Sequence, residues 1–223
     1  MNIREDADRI IKASIHAALP DTAVKLALEK MPEVAGRIYL IAIGKAAWQM
    51  SKAAADELQD KIEDGVCITK YDHVQGDIPH VRCYEAGHPV LDENSVNATR
   101  EAEALVDDIS ADDMVVFLVS GGGSALFEDP LISLEELQEV NSKLLACGAD
   151  ITEINTLRKR LSRVKGGKFA KLCEPARVFS IILSDILGDP LDMIASGPAY
   201  PDSTSAQDAL DIIKNTGWIF RMR

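Results

Sequence analysis

The stretch from Met114 to Ser124 constrains the fold of this chain more than any other feature. It begins with six apolar residues, and a run of this kind is typical of a strand buried on both faces of a parallel sheet. The run is followed by Ser120, Gly121, Gly122, Gly123 and Ser124. Because glycine has no Cβ and tolerates positive φ, consecutive glycines let backbone N–H groups converge on a phosphate or carboxylate. A tight strand-to-helix turn without a ligand is the alternative, and spacing alone does not choose between the two.

Strand and helix patterns alternate along the chain. We predict strands over 37–43, 65–70, 82–86, 114–119 and 177–183. We predict helices over 3–19, 21–30, 92–109, 133–147 and 205–215, an alanine-rich helix that ends near residue 60, and a helical stretch over 151–173 that Gly166 and Gly167 interrupt. Asp21, Asp92 and Ser133 are predicted at helix starts. This alternation predicts an α/β fold, a Rossmann-like three-layer domain with a parallel sheet and helices on both faces.

Three predicted strands end in loops that carry polar or glycine-rich sequence. These loops contain Lys45, the Ser120–Ser124 segment and Asp185. Open parallel sheets bind ligands in the crevice at the carboxyl ends of their strands, so we expect the three loops to converge. A cation, a group of backbone N–H donors and a carboxylate at one edge would form a phosphate-and-metal site. Asp185 and then Asp189 are the candidate ligands for Mg²⁺, which favours one or two carboxylates together with water and phosphate oxygens.

The segment from Asn155 to Lys168 is densely basic, although the chain as a whole is acidic. A solvated basic helix face is the usual explanation of such a segment. Its charge opposes that of the whole chain, however, and two glycines follow directly, which permits close approach of the backbone. Positive side chains concentrated in this segment would raise the local concentration of an acidic substrate and position its anionic groups.

Composition limits the class of protein. The formal net charge of −12 disfavours general nucleic-acid binding, which depends on neutralising phosphates with Lys and Arg. The four cysteines have no zinc-site spacing and are expected to be reduced in a cytoplasmic protein. The first residues are charged and do not resemble a signal peptide, and no apolar run approaches the ~20 residues that cross a bilayer. We therefore expect a soluble cytoplasmic protein that binds neither nucleic acid nor membrane.

Several standard signatures are excluded by single residues. Leu126 stands where both the dinucleotide fingerprint and the hydrolase G-x-S-x-G motif need glycine. Neither Lys45 nor Lys168 is followed by the Ser or Thr of a Walker A sequence. His88 lies between Gly87 and Pro89 after a predicted strand. At this position we expect a hydrogen-bonded loop histidine rather than a catalytic one.

Five motifs in order carry a family resemblance. They are Ile43–Ala47, Gly87–Asn94, Leu118–Ala125, Asn155–Gly167 and Leu183–Pro198. Together they resemble the amino-terminal domain of the type II glycerate kinases, the glycerate 2-kinase family whose carboxyl-terminal half is the MOFRL domain. The resemblance covers nearly the whole chain, to about residue 216. It implies ATP- and Mg²⁺-dependent phosphorylation of D-glycerate to 2-phosphoglycerate, in a cleft between two lobes.

The resemblance also implies roles for the candidate residues. As catalytic groups it implies Lys45, Arg158 and Asp185. As substrate or phosphate contacts it implies Ser120, Gly121, Gly122, Gly123, Ser124, Asn155, Lys159 and Lys165. As ligands to Mg²⁺ it implies Asp185 and Asp189. Because phosphoryl transfer needs little covalent help from the protein, charge neutralisation and in-line positioning are the expected mechanism.

Members of the family are about twice as long as this chain. We predict a glycerate-kinase-like domain over 1–205 and, over 206–223, the start of the connection to a second lobe, as in a truncated or split protein. A separately encoded second lobe or a homodimer is the expected partner. Two alternatives to the kinase remain: a non-catalytic phosphate- or nucleotide-binding remnant, and a sugar-phosphate-binding module.

Overall fold

A five-stranded parallel sheet forms the centre of the computed structural model, which describes residues 2–215. The strands are β1 (Ile38–Ile43), β2 (Ile62–Lys70), β3 (Val81–Ala86), β4 (Met114–Ser120) and β5 (Arg177–Leu183). Their order across the sheet is β3-β2-β1-β4-β5, and every neighbouring pair is parallel. The five strands are those predicted from the sequence. The largest difference is in β2, which begins three residues earlier than predicted.

The helices surround this sheet. They are α1 (Ile3–Ala18), α2 (Asp21–Leu28), α3 (Ala47–Leu58), α4 (Glu93–Leu105), α5 (Gly123–Leu126), α6 (Leu134–Ala146), α7 (Ile151–Leu161), α8 (Lys168–Leu172) and α9 (Ala206–Asn215). The predicted helix starts at Asp92 and Ser133 are confirmed, since each residue forms a capping box with the residue three positions later.

The sheet has a hydrophobic core on each face. Ile41 and Ile43 of β1 belong to one core with the α4 side chains Ala98 and Ala102. Leu40 and Ala42, which point the other way, belong to the second core with side chains of α3. All six residues of β1 are buried, as expected of a strand covered on both faces. The predicted three-layer α/β fold is therefore confirmed.

Three aromatic rings hold the loop after β4 against the sheet. Phe117 lies on β4, Phe127 directly follows α5, and Phe169 lies on α8. The ring centroids are 5.0 to 6.0 Å apart, and all three side chains are fully buried. Each buried aromatic ring contributes a few kcal/mol to folding, so the glycine-rich loop between Phe117 and Phe127 is anchored at both ends.

Some local predictions were wrong. The N-cap of α2 is Pro20, and Asp21 is the first helical residue, whose carboxylate accepts a hydrogen bond from Gln49. Helix α4 ends at Leu105 rather than at 109. The predicted interruption of the 151–173 stretch is confirmed, because α7 ends at Leu161 and α8 begins at Lys168 with Gly167 as its N-cap. The first helix ends five residues before Gly166.

The closing helix α9 packs on the domain through Ala209, which lies in a small core with Leu144 and Leu157. The predicted boundary at residue 205 remains a prediction. Residues 216–223 of the predicted connection lie outside the described residues. Within residues 2–215, no helix is long and apolar enough to span a bilayer.

Candidate phosphate-binding site

The loops after β1 and β4 are joined to each other by backbone and side-chain hydrogen bonds. The Lys45 N–H donates to the Gly121 carbonyl oxygen at 2.9 Å. The Ser120 hydroxyl accepts a bond from the Ala46 N–H at 3.1 Å and donates to the Ile43 carbonyl at 3.2 Å. Helix α3 covers one face of the sheet and α4 the other, so β1 and β4 flank the topological switch point where ligands bind in such sheets.

Ser120 is buried, and its side chain joins the two loops. Its side chain is only 1% exposed, and both of its hydrogen bonds go to backbone groups of the loop after β1. The hydroxyl therefore positions the loop after β1, and its contact to a ligand remains a prediction. Gly44 makes this approach possible, because its φ is +111° and a Cβ there would lie 2.3 Å from the Ser120 Oγ.

Three other segments meet at the triple glycine. A Cβ on Gly121 would lie 2.1 Å from an Asp185 Oδ, and a Cβ on Gly123 would lie 2.7 Å from the Ala195 Cβ. A Cβ on Gly122 would lie 2.9 Å from the His88 Nε2 and 3.2 Å from the Lys45 Cγ. Side chains at these positions would fill the space that the glycines keep open. The predicted convergence of the loops that carry Lys45, Gly121–Gly123 and Asp185 is therefore present in the structure.

Asp185 is the first candidate metal ligand at this edge. It follows β5 by two residues, and its side chain is exposed beside Gly121. Asp189 is also exposed, in the same loop, and has a positive φ of 48°. Residues 2–215 contain no group of three or more His, Cys, Asp or Glu side chains that could hold a metal ion. A metal here would therefore need phosphate or water oxygens for most of its coordination.

His88 is the residue of this site that sequence reasoning weighted too lightly. It lies beside Gly122 and Lys45. Partial burial, and then the charges of Lys45 and Lys70, lower the pKa of His88. The imidazole is therefore neutral at pH 7 and can accept a proton or a hydrogen bond. The signal in the sequence was the position just after a predicted strand, at the same sheet edge as the other loops.

A chain of buried polar groups continues from the end of the glycine loop. The Ser124 and Ser196 hydroxyls are 3.0 Å apart, and the Ser196 hydroxyl donates to the Asn155 Oδ1 at 2.9 Å. Ala195 and Ser196 both have left-handed backbone, with φ of 52° and 62°. Such conformations cost of order 1–3 kcal/mol each and tend to occur at functional sites. Asn155 is 2% exposed, and by accepting this hydrogen bond it holds the Ser196 side chain in place.

The two buried lysines do not face the glycine loop. Lys165 is fully buried, and its ammonium donates to the Phe127 carbonyl and pairs with Glu128 at 3.2 Å. Lys159 is 1% exposed and pairs with Asp192 and with Asp202, each at 3.3 Å. Both were predicted as substrate contacts. Their charges are already paired inside the domain, and a contact to substrate remains a prediction for each.

Arg158 has a different environment. Its guanidinium Nε donates to the Asn141 Oδ1 on α6 at 2.8 Å. Burial lowers the pKa of Arg158, and the negative charge of Glu128 opposes this effect. No hydrogen bond within the described part of the chain joins Arg158 to the three loops. Its proposed contact to substrate therefore has no support from its present hydrogen bond.

Lys45 differs from these residues because it is exposed. Among residues 2–215, no Asp or Glu oxygen lies within 4 Å of its ammonium. Its carbonyl oxygen is 3.0 Å from the His73 Nδ1, so the backbone around it is fixed while the ammonium is free. An exposed, unpaired cation beside three glycine backbones is suited to bind an anion.

A cavity of about 590 Å³ lies elsewhere, near the end of α4, and is lined in part by Glu103, Asp129 and Arg163. Burial, and then the charge of Asp129, raise the pKa of Glu103 to about 7. The cavity contains none of the predicted site residues, and the chemistry of the three loops is more specific to phosphate. We therefore place the candidate site at the open sheet edge.

Fold and site define the chain as an α/β domain with a strand-end site suited to an anion. It matches the model of the domain of unknown function DUF4147 over residues 6–221, and it belongs to that family. It is 52% identical to the D-glycerate 2-kinase of Thermotoga maritima over 97% of this chain, and 42% identical to the glycerate 2-kinase of Pyrococcus horikoshii over 96%.

A solved structure gives the same result. The crystal structure of the Thermotoga maritima glycerate kinase superposes with a TM-score of 0.89 at 51% identity, over 97% of this chain and 52% of the other. The chain covers 52% and 50% of the two kinase sequences, so it spans about half the length of these relatives. The resemblance to glycerate 2-kinases, inferred from the five motifs, is confirmed.

Proposed function

We propose that this chain supplies the phosphate-binding half of a D-glycerate 2-kinase, which transfers the γ-phosphoryl group of ATP to D-glycerate and forms 2-phosphoglycerate. The observation that carries the proposal is the meeting of Lys45, Gly121–Gly123 and Asp185 at the switch point of the sheet. Relatives named glycerate 2-kinase, 52% and 42% identical, support the choice of reaction and substrates.

The proposed catalysis is electrostatic. Phosphoryl transfer spreads negative charge over the phosphoryl oxygens, and the protein contributes chiefly by positioning them and by neutralising charge. In this chain, the backbone N–H groups around Gly122 and the ammonium of Lys45 would bind the phosphates. Neutral His88, which lies beside Gly122, is placed to accept a hydrogen bond from the substrate hydroxyl.

The carboxylates fit a magnesium ion held mainly by phosphate. Mg²⁺ keeps several waters and is usually bound through one or two carboxylates together with substrate phosphates. Asp185, exposed beside Gly121, would supply the first carboxylate, and Asp189 is the candidate for a second. When bound, the ion would neutralise charge on the transferring phosphoryl group.

The site is open along the sheet edge, and phosphoryl transfer requires that water be excluded while the reaction occurs. We propose that the part of the kinases beyond the half matched here covers this edge. Either a separately encoded lobe or a second copy of the chain could supply the cover, and the homodimer remains a prediction. A cytoplasmic location is proposed with the activity.

ADP formation from ATP, D-glycerate and Mg²⁺ tests the proposal. The chain is assayed alone and together with the carboxyl-terminal half of the Thermotoga relative, with Lys45→Ala and Lys52→Ala compared under both conditions. We expect glycerate-dependent ADP release in the presence of the second half, and its loss in Lys45→Ala only. No release in either condition, although ATP binds, would contradict the kinase proposal.

A non-catalytic binding module is the second candidate. It is favoured by one observation: hydrogen bonds within this one domain already join the Lys45 loop to Gly121 and Ser124 to Ser196. Calorimetry separates the candidates, because a binding module binds ATP or a sugar phosphate without turnover in either condition above. Binding of sugar phosphates in preference to ATP would favour the sugar-phosphate module.

A further inference from the structure

Two cysteines lie side by side in the sheet, away from the glycine loop. Cys67 of β2 and Cys83 of β3 are register partners in the parallel pair. Neighbouring strands are about 4.8 Å apart. That spacing falls within the range of about 4.4–6.8 Å between Cα atoms that a disulfide bridges. The backbone of the two strands therefore already holds these cysteines at bonding distance.

The two side chains also share one face of the sheet. Cys67 is buried and Cys83 partly buried in the core formed with α3. Cys67 is 0% exposed, and the Cys83 thiol donates to the Val81 carbonyl oxygen of its own strand at 3.9 Å. Since β3 is an edge strand, Cys83 reaches the protein surface, whereas Cys67 does not. One sulfur is therefore accessible to a small oxidant, and its partner is shielded.

The two thiols are chemically unequal. The neighbouring Cys67 thiol lowers the pKa of Cys83, against burial and the negative charge of Asp77. Cys83, and then burial, raise the pKa of Cys67. Thiolate is the nucleophilic form of cysteine, so Cys83 is the residue that reacts first.

We propose that Cys67 and Cys83 form a peroxide-sensitive thiol pair that closes to a disulfide between β2 and β3. The Cys83 thiolate attacks hydrogen peroxide, an S–O bond forms as the O–O bond breaks, and hydroxide leaves. The Cys67 sulfur then attacks the Cys83 sulfur, an S–S bond forms as the S–O bond breaks, and the oxygen leaves as water. The two cysteines lose two electrons and two protons, and the peroxide is reduced to two waters.

The remaining cysteines provide internal controls. Cys147 lies exposed at the end of α6, and Cys173 is buried, with a pKa raised to about 12 by burial. Neither is a register partner of another cysteine. Mapped in the otherwise unchanged chain, Cys147 reports oxidation that follows from exposure alone. Cys173 reports the behaviour of a shielded thiol both in that chain and in the Cys147→Ser protein.

Peptide mapping of the whole chain tests the proposal. The protein, carrying Cys147→Ser so that chains cannot cross-link through that residue, is treated with hydrogen peroxide and digested with trypsin without reduction. Trypsin separates the peptides 62–70 and 83–100, which contain Cys67 and Cys83. We expect these peptides to be joined, with a loss of mass equal to two hydrogen atoms, and to separate on reduction.

Two variants identify the roles. In Cys67→Ser, Cys83 should stop at the sulfenic acid, which dimedone traps. In Cys83→Ser, Cys67 should remain a thiol. Recovery of both peptides as unmodified thiols, or a link from Cys83 to any cysteine other than Cys67, would overturn the proposal. The mapping of the Cys147→Ser protein decides the question even if either further variant fails to fold.

Discussion

The Lys45 N–H and the Gly121 carbonyl oxygen form a 2.9 Å hydrogen bond that joins the loops after β1 and β4. The two strands are neighbours in the sheet, so a short backbone bond is enough to hold a cationic loop against a glycine-rich loop. The Lys45 side chain thereby passes Gly122 at its Cγ, and its ammonium has no ion pair of its own in the described part of the chain.

Gly121→Ala should weaken ligand binding with little effect on folding. The new Cβ would lie 2.1 Å from an Asp185 Oδ, but Asp185 is exposed and can move. The free energy of unfolding should therefore change by less than about 1 kcal/mol. Calorimetry with ATP and Mg²⁺ should show the affinity for ATP reduced at least about tenfold. Displacing the Asp185 carboxylate from the ligand should cost about 1.4 kcal/mol or more of binding free energy.

Gly148→Ala is the matched control for that substitution. Its Cβ would have no atom within 4 Å, but its φ of +77° is unfavourable for alanine. We therefore expect lower stability and unchanged ATP affinity, the opposite pattern. Equal loss of affinity in both variants would show that Gly121 has no specific role.

Lys45→Ala should weaken ATP binding by about tenfold to a hundredfold, the range expected for a charge-assisted contact worth about 1.5–3 kcal/mol. Lys52→Ala removes the same charge from α3, where the lysine is paired with Asp56 on the surface. Calorimetry should show near-normal affinity for Lys52→Ala. If both variants lose affinity equally, net charge rather than the position of Lys45 governs binding.

Lys165→Met should destabilise the fold by about 3–5 kcal/mol, because it leaves the carboxylate of Glu128 buried without its partner. The double variant Lys165→Met with Glu128→Leu should recover part of that loss, since neither charge then remains buried. Urea unfolding measures both effects. A stable Lys165→Met protein that fails only to bind ATP would restore Lys165 as a ligand contact.

Asp113→Asn should destabilise the protein at pH 7 by about 1–3 kcal/mol, because Asp113 accepts hydrogen bonds from Arg37 and Ser110 and its side chain is 2% exposed. These bonds, with Arg37 first, lower the pKa of Asp113 in the folded state. In the unfolded chain Asp113 has a pKa of about 3.9, so near that pH the unfolded chain binds more protons than the folded one. The stabilisation that Asp113 contributes is therefore complete above about pH 3.9 and declines below it.

Urea unfolding of wild type and Asp113→Asn from pH 7 to about pH 3 measures this effect. The difference in unfolding free energy should shrink as the pH falls. A difference that stays constant, or that grows in acid, would show that the carboxylate is not the stabilising form of Asp113.

The sequence predicted the part of the site that depends on backbone topology. Carboxyl ends of parallel strands meet at one edge, so Lys45, the glycine loop and Asp185 could be placed together from strand patterns alone. The strand order could not be predicted, because the alternation of strands and helices is the same for several orders. It was the order that put β1 beside β4.

The sequence could not distinguish exposed from buried charges within the basic segment. Lys159 and Lys165 follow the same local pattern as a substrate-binding helix face, and their carboxylate partners are remote in sequence. Asp192 and Asp202 come from the loop after β5 and its continuation, and Glu128 from the segment after α5. Pairing of this kind depends on tertiary packing, which no local spacing encodes.

The neighbours of His88 and Ser196 in the folded chain could not be predicted, for the same reason. Each lies in a short turn with small or cyclic neighbours, and only the folded chain brings His88 to Gly122 and Ser196 to Ser124. Their local sequences gave no charge pattern to weigh. The position of His88 at a strand end was the one usable signal.

The most direct measurement is a titration of glycine-labelled ¹⁵N protein with ATP and Mg²⁺, followed by NMR. The amides of Gly44, Gly121, Gly122 and Gly123 report on the two joined loops, and Gly148 reports on a turn after α6. The account predicts saturable shifts at the first four glycines and none at Gly148. Unchanged amides at Gly121–Gly123 when ATP is in large excess would contradict it.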